Sequence, residues 1–328
     1  MSESVIAIVI PYYQEEPGVL QRALRSVSAQ RDCPLPLHVI VVDDSSPVPA
    51  DQELLALGDI GVPVQCIRQP NGGPGAARNT GLDNAPEQTR YVAFLDSDDE
   101  WSPDHLTRAV AALQWGYDFY FADHLQIGAE TSAFQRAGRI SPEEHPALTA
   151  SAGLHGYQGD MFDQTVRGNV IGTSTVVYDF ARFGGHRFKV EFTNAGEDYL
   201  FWIDLVLDGA RCAFSARTEA VYGRGVNVYA GSGWGSERHL LRVHNEIKFK
   251  KLLSRAYPLN ESQQRSVDES LIVLRLAFAS DVLRRLRHRH GLPLNLLSAH
   301  LVLDPLSFLM LPANAFRIFR QRSGGQVA

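Results

Sequence analysis

Tyr91-Val92-Ala93-Phe94-Leu95-Asp96-Ser97-Asp98-Asp99 passes from five apolar or aromatic residues to three carboxylates within four positions. The continuous apolar run predicts a strand buried on both faces, since a half-exposed strand would alternate. Carboxylates crowded at its exit repel one another unless a cation sits among them. Mg²⁺ or a similar hard ion is held by one or two carboxylates together with substrate phosphates. Asp98 and Asp99 would equally well cap a following helix.

Working outward, Val5 to Ile10 and Leu37 to Val42 repeat the pattern, the first stopping at Pro11-Tyr12-Tyr13-Gln14-Glu15 and the second at Asp43-Asp44-Ser45-Ser46. Val64 to Ile67 precedes Asn71-Gly72-Gly73-Pro74-Gly75-Ala76-Ala77-Arg78-Asn79, a glycine-rich loop entering a helix. Val19, Leu20, Ala23, Leu24 and Val27 have helical spacing, and Asp104 to Trp115 predicts a further helix. Strand, loop and helix in alternation predict a doubly covered, largely parallel α/β sheet. Its polar loops fall at strand C-terminal ends, the edge where open α/β sheets bind ligands. Tyr117 to Ala122 and Asn169 to Tyr178 read as strands on either side of a long excursion over the site. Arg211 to Ser215 and Ala220 to Tyr222 read as two short strands. Glu197-Asp198 opens a helix with Tyr199, Trp202, Ile203 and Val206 on one face.

The 328 residues, 45% hydrophobic and 21% charged, describe an ordinary globular chain, and a net charge of −6 argues against a general nucleic-acid binder. The balance is uneven: residues 226–328 carry 15 Lys and Arg against 7 Asp and Glu. Two helices (Glu237 to Arg255 and Glu261 to about Arg289) and a proline-broken apolar tail are expected there. The Arg284-Arg285-Leu286-Arg287-His288-Arg289-His290 run suits either a solvated face or an anionic membrane surface. Three scattered cysteines indicate neither a disulfide framework nor a zinc site, so a reducing cytoplasmic setting is expected. No signal peptide and no spanning helix are expected.

Five blocks now stand in order: Ile8-Val9-Ile10-Pro11-Tyr12-Tyr13-Gln14-Glu15, Val41-Val42-Asp43-Asp44-Ser45-Ser46, Asn71 to Asn79, Phe94-Leu95-Asp96-Ser97-Asp98-Asp99 and Gly196-Glu197-Asp198. Together they resemble the family 2 glycosyltransferases, inverting enzymes of the GT-A fold, over roughly residues 4–225. Among these, the chain is similar to bacterial exopolysaccharide glucosyltransferases of the succinoglycan type. The resemblance implies a Rossmann-like mixed sheet in a catalytic domain at 1–225, with 226–328 a helical appendage associated with membrane or acceptor.

It also implies roles. Pro11, Tyr12 and Glu15 line the nucleoside pocket, and Asp43 accepts a hydrogen bond from the base; an Asx-type turn is the plainer reading of Asp43. Asn71 and Gly75 bring backbone near the nucleotide, while Arg78 carries a permanent cation toward acidic or phosphate groups. Asp96 and Ser97 lie near the ribose, Asp98 ligates Mg²⁺ or Mn²⁺, and Asp99 assists or caps. Asp198 is the general base, with Glu197 contacting a sugar; helix capping is the alternative. Trp234 is a candidate acceptor platform or an ordinary packed side chain. Relatives often carry Tyr-Arg-x-His after the last core strand, with the His in the metal shell. This chain has Tyr222-Gly223-Arg224-Gly225-Val226-Asn227, leaving His239, Asn227 or water to substitute. No processive Q-x-x-R-W motif is present. The expected partners are therefore a UDP-sugar, a saccharide or lipid-linked oligosaccharide acceptor, and the inner membrane at its cytoplasmic face. A sugar-1-phosphate nucleotidylyltransferase or a silent sugar-nucleotide-binding scaffold are the competing readings.

Overall fold

A computed structural model describes residues 3–149, 151–192, 196–224 and 233–324. The chain divides into two compact units, Met1–Thr193 with Glu197–Val226, and Asn194–Gly196 with Asn227–Ala328.

The first unit is an α/β sheet. Strands β1 (Val5–Tyr12), β2 (Leu37–Asp43), β3 (Val64–Arg68) and β4 (Thr89–Phe94) form its parallel half. β5 (Glu100–Trp101), β6 (Phe119–Gln126), β7 (Leu154–Gly156), β8 (Val177–Asp179) and β9 (Cys212–Tyr222) build the mixed half. The order is β3-β2-β1-β4-β8-β6-β9-β5, with β7 added to β9. β8 runs antiparallel to both β4 and β6, whereas β6 and β9 are parallel. Strand order turns back at β1, which has β2 on one side and β4 on the other; this is the topological switch where α/β sheets hold ligands. Register places Tyr12 beside Asp43, and Val9 beside Phe94.

Because side chains alternate along a strand, β1 feeds two cores. Ile6, Ile8, Ile10 and Tyr12 pack beneath α1 (Val19–Ser28), α2 (Ala50–Leu57) and later α4 (His105–Gln114). Ala7 and Val9 face α3 (Pro74–Asp83), and that opposite core includes Phe201 and Trp202 of α8 (Glu197–Leu207). Gly81 lets α3 lie directly on β1: a Cβ there would stand 2.4 Å from Val9 Cγ1.

Several expectations are corrected. The stretch from Asp123 to Gly168, read as a long excursion, carries secondary structure of its own. β6 continues to Gln126, α5 (Ala133–Ala137) and α6 (Met161–Arg167) form, and β7 extends the sheet edge. From Asn169 to Tyr178 only the end is strand, and α7 (Phe180–Phe183) follows at once. Hydroxyl groups divert the rest into a 3-10 turn at Thr173–Thr175: Thr175 Oγ1 donates to the Gly172 carbonyl and accepts from Ala122 N, and Ser174 Oγ donates to Asp99. The two short strands after Arg211 are one strand, β9, whose register shifts opposite Ala122–His124. Glu219 on it is buried, held by Arg108 Nε (2.6 Å), Tyr120 OH (2.6 Å) and His105 Nδ1 (2.9 Å).

The second unit is helical: α9 (His239–Ala256), α10 (Glu261–Arg287), α11 (Leu294–Leu303), α12 (Pro305–Leu309) and α13 (Leu311–Gly324). Arg284 and Arg285 are not a solvated face. Both turn inward to the fully buried Asp281, at 2.9 and 2.7 Å.

Candidate active site

The chemistry gathers where β1, β2 and β4 end. Asp43 is buried, and its two oxygens accept backbone N–H groups of Ser46 (2.7 Å) and Ala50 (2.9 Å). Its turn-forming role is thus visible, and it also caps α2. Asp44 fixes the glycine loop by accepting from Gly72 N (2.8 Å), Gly73 N (2.7 Å) and Gln69 Nε2 (2.7 Å). Asn71 is exposed and donates to the Asp44 carbonyl.

Arg78 projects from α3 between two carboxylates distant in sequence. Nη2 donates to Asp96 Oδ1 at 2.7 Å, Nη1 to Glu197 Oε1 at 3.3 Å, and the guanidinium lies over the Phe188 ring at 5.4 Å. Gly75 is buried, and the space its missing Cβ leaves is bounded by Glu197 Cγ and Phe188 Cβ, each 3.4 Å away. A Cβ there would make ordinary van der Waals contact, so α3 packs closely on the start of α8 at this position.

At the β4 exit the carboxylates separate into different environments. Asp96 N donates to Ser174 Oγ, whose hydroxyl donates to Asp99; Asp99 also accepts from Gly223 N at 2.9 Å. Asp99 is therefore a buried anchor, while Asp96 and Asp98 remain partly exposed. Gly223 lies so close that a Cβ would stand 1.8 Å from the Asp98 carbonyl oxygen, which explains a glycine after Tyr222. Ser97 is buried and accepts from Gln14 Nε2 at 3.0 Å. Asp198 is half-buried; its oxygens accept from Tyr199 N (2.8 Å) and Thr173 Oγ1 (3.4 Å).

Electrostatics follow from this crowding. Burial pushes the Glu197 carboxyl up to about 7, aided by Asp198 beside it, while Arg78 pulls the other way. Asp198 also moves up through burial, again restrained by Arg78. Burial, with Asp96 and Asp98 alongside, holds Asp99 well above the ordinary carboxylate range. These acidic side chains, hard oxygen donors only partly offset by Arg78, suit a divalent cation. Among the described residues no group of three or more His, Cys, Asp or Glu converges to hold an ion. The fit is to a cation bound by one or two carboxylates and completed by phosphate oxygens or water.

The other expected residues differ in burial and in the unit that carries them. Tyr12 is fully buried, because its even-numbered position on β1 sends the ring into the core with Ile6, Ile8 and Ile10; burial raises its phenol to about 12. It therefore does not line a pocket. Pro11 is half-buried and Glu15 exposed. Trp234 belongs to the helical unit, 60% exposed, with Nε1 3.4 Å from Ser280 Oγ. His239 belongs to the same unit, its Nδ1 3.7 Å from Asp281 Oδ1. Asn227 lies outside the described residues. Gln14, Thr173, Ser174 and Phe188 were not foreseen. Gln14 stands inside a recognised block, but the other three carry no local signal.

The family model described as glycosyl transferase family 2 matches residues 7–187. The chain belongs to this family. The enzyme is 38% identical over 231 residues to the succinoglycan biosynthesis protein ExoW of Rhizobium meliloti (strain 1021), covering 68% of this chain and 70% of that protein. It is 27% identical over 229 residues to the succinoglycan biosynthesis protein ExoO of the same organism, covering 66% and 60%. Among solved structures, S. aureus TarS 1-349 in complex with UDP-GlcNAc matches with a TM-score of 0.53 and 18% identity, covering 86% of the enzyme and 72% of TarS. The mannosyltransferase PcManGT of Pyrobaculum calidifontis, in complex with GDP-Man and Mn²⁺, matches with a TM-score of 0.56 and 14% identity, covering 97% and 86%. These likenesses establish the GT-A fold. The family match ends before Glu197 and Asp198.

Proposed function

We propose that the enzyme transfers a single glucose from UDP-glucose to a lipid-linked exopolysaccharide intermediate at the cytoplasmic face of the membrane, with inversion at the anomeric carbon. The observation that carries this reading is Arg78 bridging Asp96 and Glu197, which draws the glycine loop, the carboxylate motif and the Glu197-Asp198 pair into one site. The similarity to ExoW supports an exopolysaccharide acceptor, and the UDP-GlcNAc complex of TarS supports a UDP-sugar donor.

In this reading Asp198 takes the proton from the acceptor hydroxyl as its oxygen attacks the anomeric carbon from the side opposite the diphosphate. The new C–O bond forms, the bond to the β-phosphate breaks, UDP departs, and an α-linked donor gives a β-linkage. Arg78 keeps Asp198 ionised enough to act as a base, while burial and neighbouring carboxylates make it a stronger one. Glu197, held by Arg78, faces donor or acceptor sugar. Asp96 and the exposed amide of Asn71 meet the nucleotide. Mg²⁺ or Mn²⁺, held by Asp98, would neutralise charge developing on the diphosphate when bound.

Asp198→Asn should leave Mn²⁺-dependent UDP binding by calorimetry near wild type and lower transfer by roughly 10²–10⁴-fold. Asp98→Ala should remove the metal dependence of UDP binding. Unchanged transfer in Asp198→Asn would remove the base assignment. A silent scaffold predicts no EDTA-sensitive turnover in the wild type.

A further inference from the structure

The C-terminal helices are built inside out. On α11 to α13 the polar side chains His300, Asp304 and Ser307 are completely buried and Asn314 nearly so. Large apolar side chains point outward instead: Val302, Leu309, Leu294 and Phe316 are 87, 75, 72 and 69% exposed, beside the exposed Asn295, Ser298, Arg317 and Arg320. Apart from His300 Nε2, which is buried without a hydrogen-bond partner among the described residues, the inward polar groups are paired within the unit. Asp304 accepts from Arg275 through Nε and Nη2 (both 2.8 Å), Lys251 Nζ (3.1 Å) and Ser307 Oγ (2.7 Å). His300 Nδ1 lies 3.0 Å from His244 Nδ1, and its ring stacks on Phe278. An internal ionic cluster thus fixes which side of these helices faces out. Large exposed apolar patches of this kind mark interaction surfaces.

We propose that this face docks on an anionic lipid bilayer. Charge selects the occupant. From Val282 to Ala328 Asp304 is the only acidic residue, and it is buried and paired. Among the described residues of this segment the exposed charges are Arg287, Arg289, Arg317 and Arg320. A second copy seated on the same patch would oppose arginine to arginine, with no exposed carboxylate in the segment to relieve it. A surface of anionic headgroups over an apolar interior matches both the charge and the leucines and phenylalanines. The helices lie on the bilayer rather than cross it. At 10 and 14 residues, α11 and α13 span about 15 and about 21 Å, against a hydrocarbon core of about 30 Å, and no helix among the described residues is long and apolar enough to cross. The inference rests on the proposed function only for its purpose, which is to bring a lipid-linked acceptor within reach.

The test is flotation of the full chain with vesicles of phosphatidylglycerol mixed into phosphatidylcholine, compared with phosphatidylcholine alone. Binding is expected to the mixed vesicles and to weaken with added salt. Arg317→Gln with Arg320→Gln should lower partitioning by roughly 25-fold, about fivefold for each arginine. Leu309→Asn with Phe316→Asn, both on exposed positions, should abolish flotation while sugar transfer to a water-soluble acceptor stays at the wild-type rate. Absence of flotation with anionic vesicles overturns the proposal, as does equal flotation of the Leu309/Phe316 variant. Dimerisation in lipid-free buffer that this variant removes would assign the face to a second copy and overturn it too. Failure to consume UDP-glucose would refute the functional reading and leave flotation unchanged, so the two are separable.

Discussion

Replacing Arg78 by methionine keeps most of the side-chain volume and removes the guanidinium that bridges Asp96 and Glu197. Arg78 and Glu197 are both buried, so the Glu197 carboxylate loses a partner that water cannot replace, whereas the partly exposed Asp96 can turn to solvent. Removing one member of a buried ion pair costs about 3–5 kcal/mol. At about 2–4 °C per kcal/mol this corresponds to a melting point lower by roughly 6–20 °C. The cost should depend on pH, with a definite sign. Arg78 is what holds Glu197 down; without it the carboxyl titrates above about 7, and below that point it is protonated and no longer needs a cation. Destabilisation should therefore be largest near pH 8 and smaller by 1–2 kcal/mol near pH 5.5, an order-of-magnitude figure. Scanning calorimetry at the two pH values measures this, with Arg78→Lys as the charge-retaining control. A loss below about 1 kcal/mol at pH 8, or one equal at both pH values, would refute the reasoning.

In the wild type, the Glu197 carboxyl is raised from 4.5 to about 7 in the folded state, so folding takes up a proton between those values and stability falls as pH rises through that window. The contribution is on the order of 3 kcal/mol, and urea titrations of Glu197→Gln should show this slope removed. Gly81→Ala would drive a Cβ to 2.4 Å from Val9 Cγ1 and should cost about 1–3 kcal/mol in urea unfolding despite a better helix former, with Val9→Ala restoring most of it.

Much of the fold was legible because buried parallel strands are written locally: Val5 to Ile10, Val39 to Val42 and Tyr91 to Leu95 are uninterrupted apolar runs, and each ends in the polar residues that form the sheet's working edge. Where side-chain hydroxyls compete with the backbone, as at Thr173–Thr175, the same local reading fails. It also fails for β9, where a register shift and the buried Glu219 cluster carry one strand through an apparent break. The site divides likewise. The residue types at Asp96, Asp98 and Asp198 announce acid chemistry, but nothing nearby tells which carboxylate anchors and which stays accessible. Asp99 becomes the anchor because Ser174 and Gly223, 75 and 124 positions away, donate to it.

The sequence by itself determined the strand and helix periods, the order of the polar blocks at the strand ends, and the excess of arginine over acid in the C-terminal region. These depend on neighbours within a few residues, where spacing fixes which side chains share a face. Only the tertiary structure decided that Arg78 joins Asp96 to Glu197, that Tyr12 turns into the core, and that α11 to α13 bury His300, Asp304, Ser307 and Asn314 while exposing Leu294, Val302, Leu309 and Phe316. Such outcomes depend on desolvation and pairing between distant segments, and a buried charge goes where its partner is, whatever the local pattern favours.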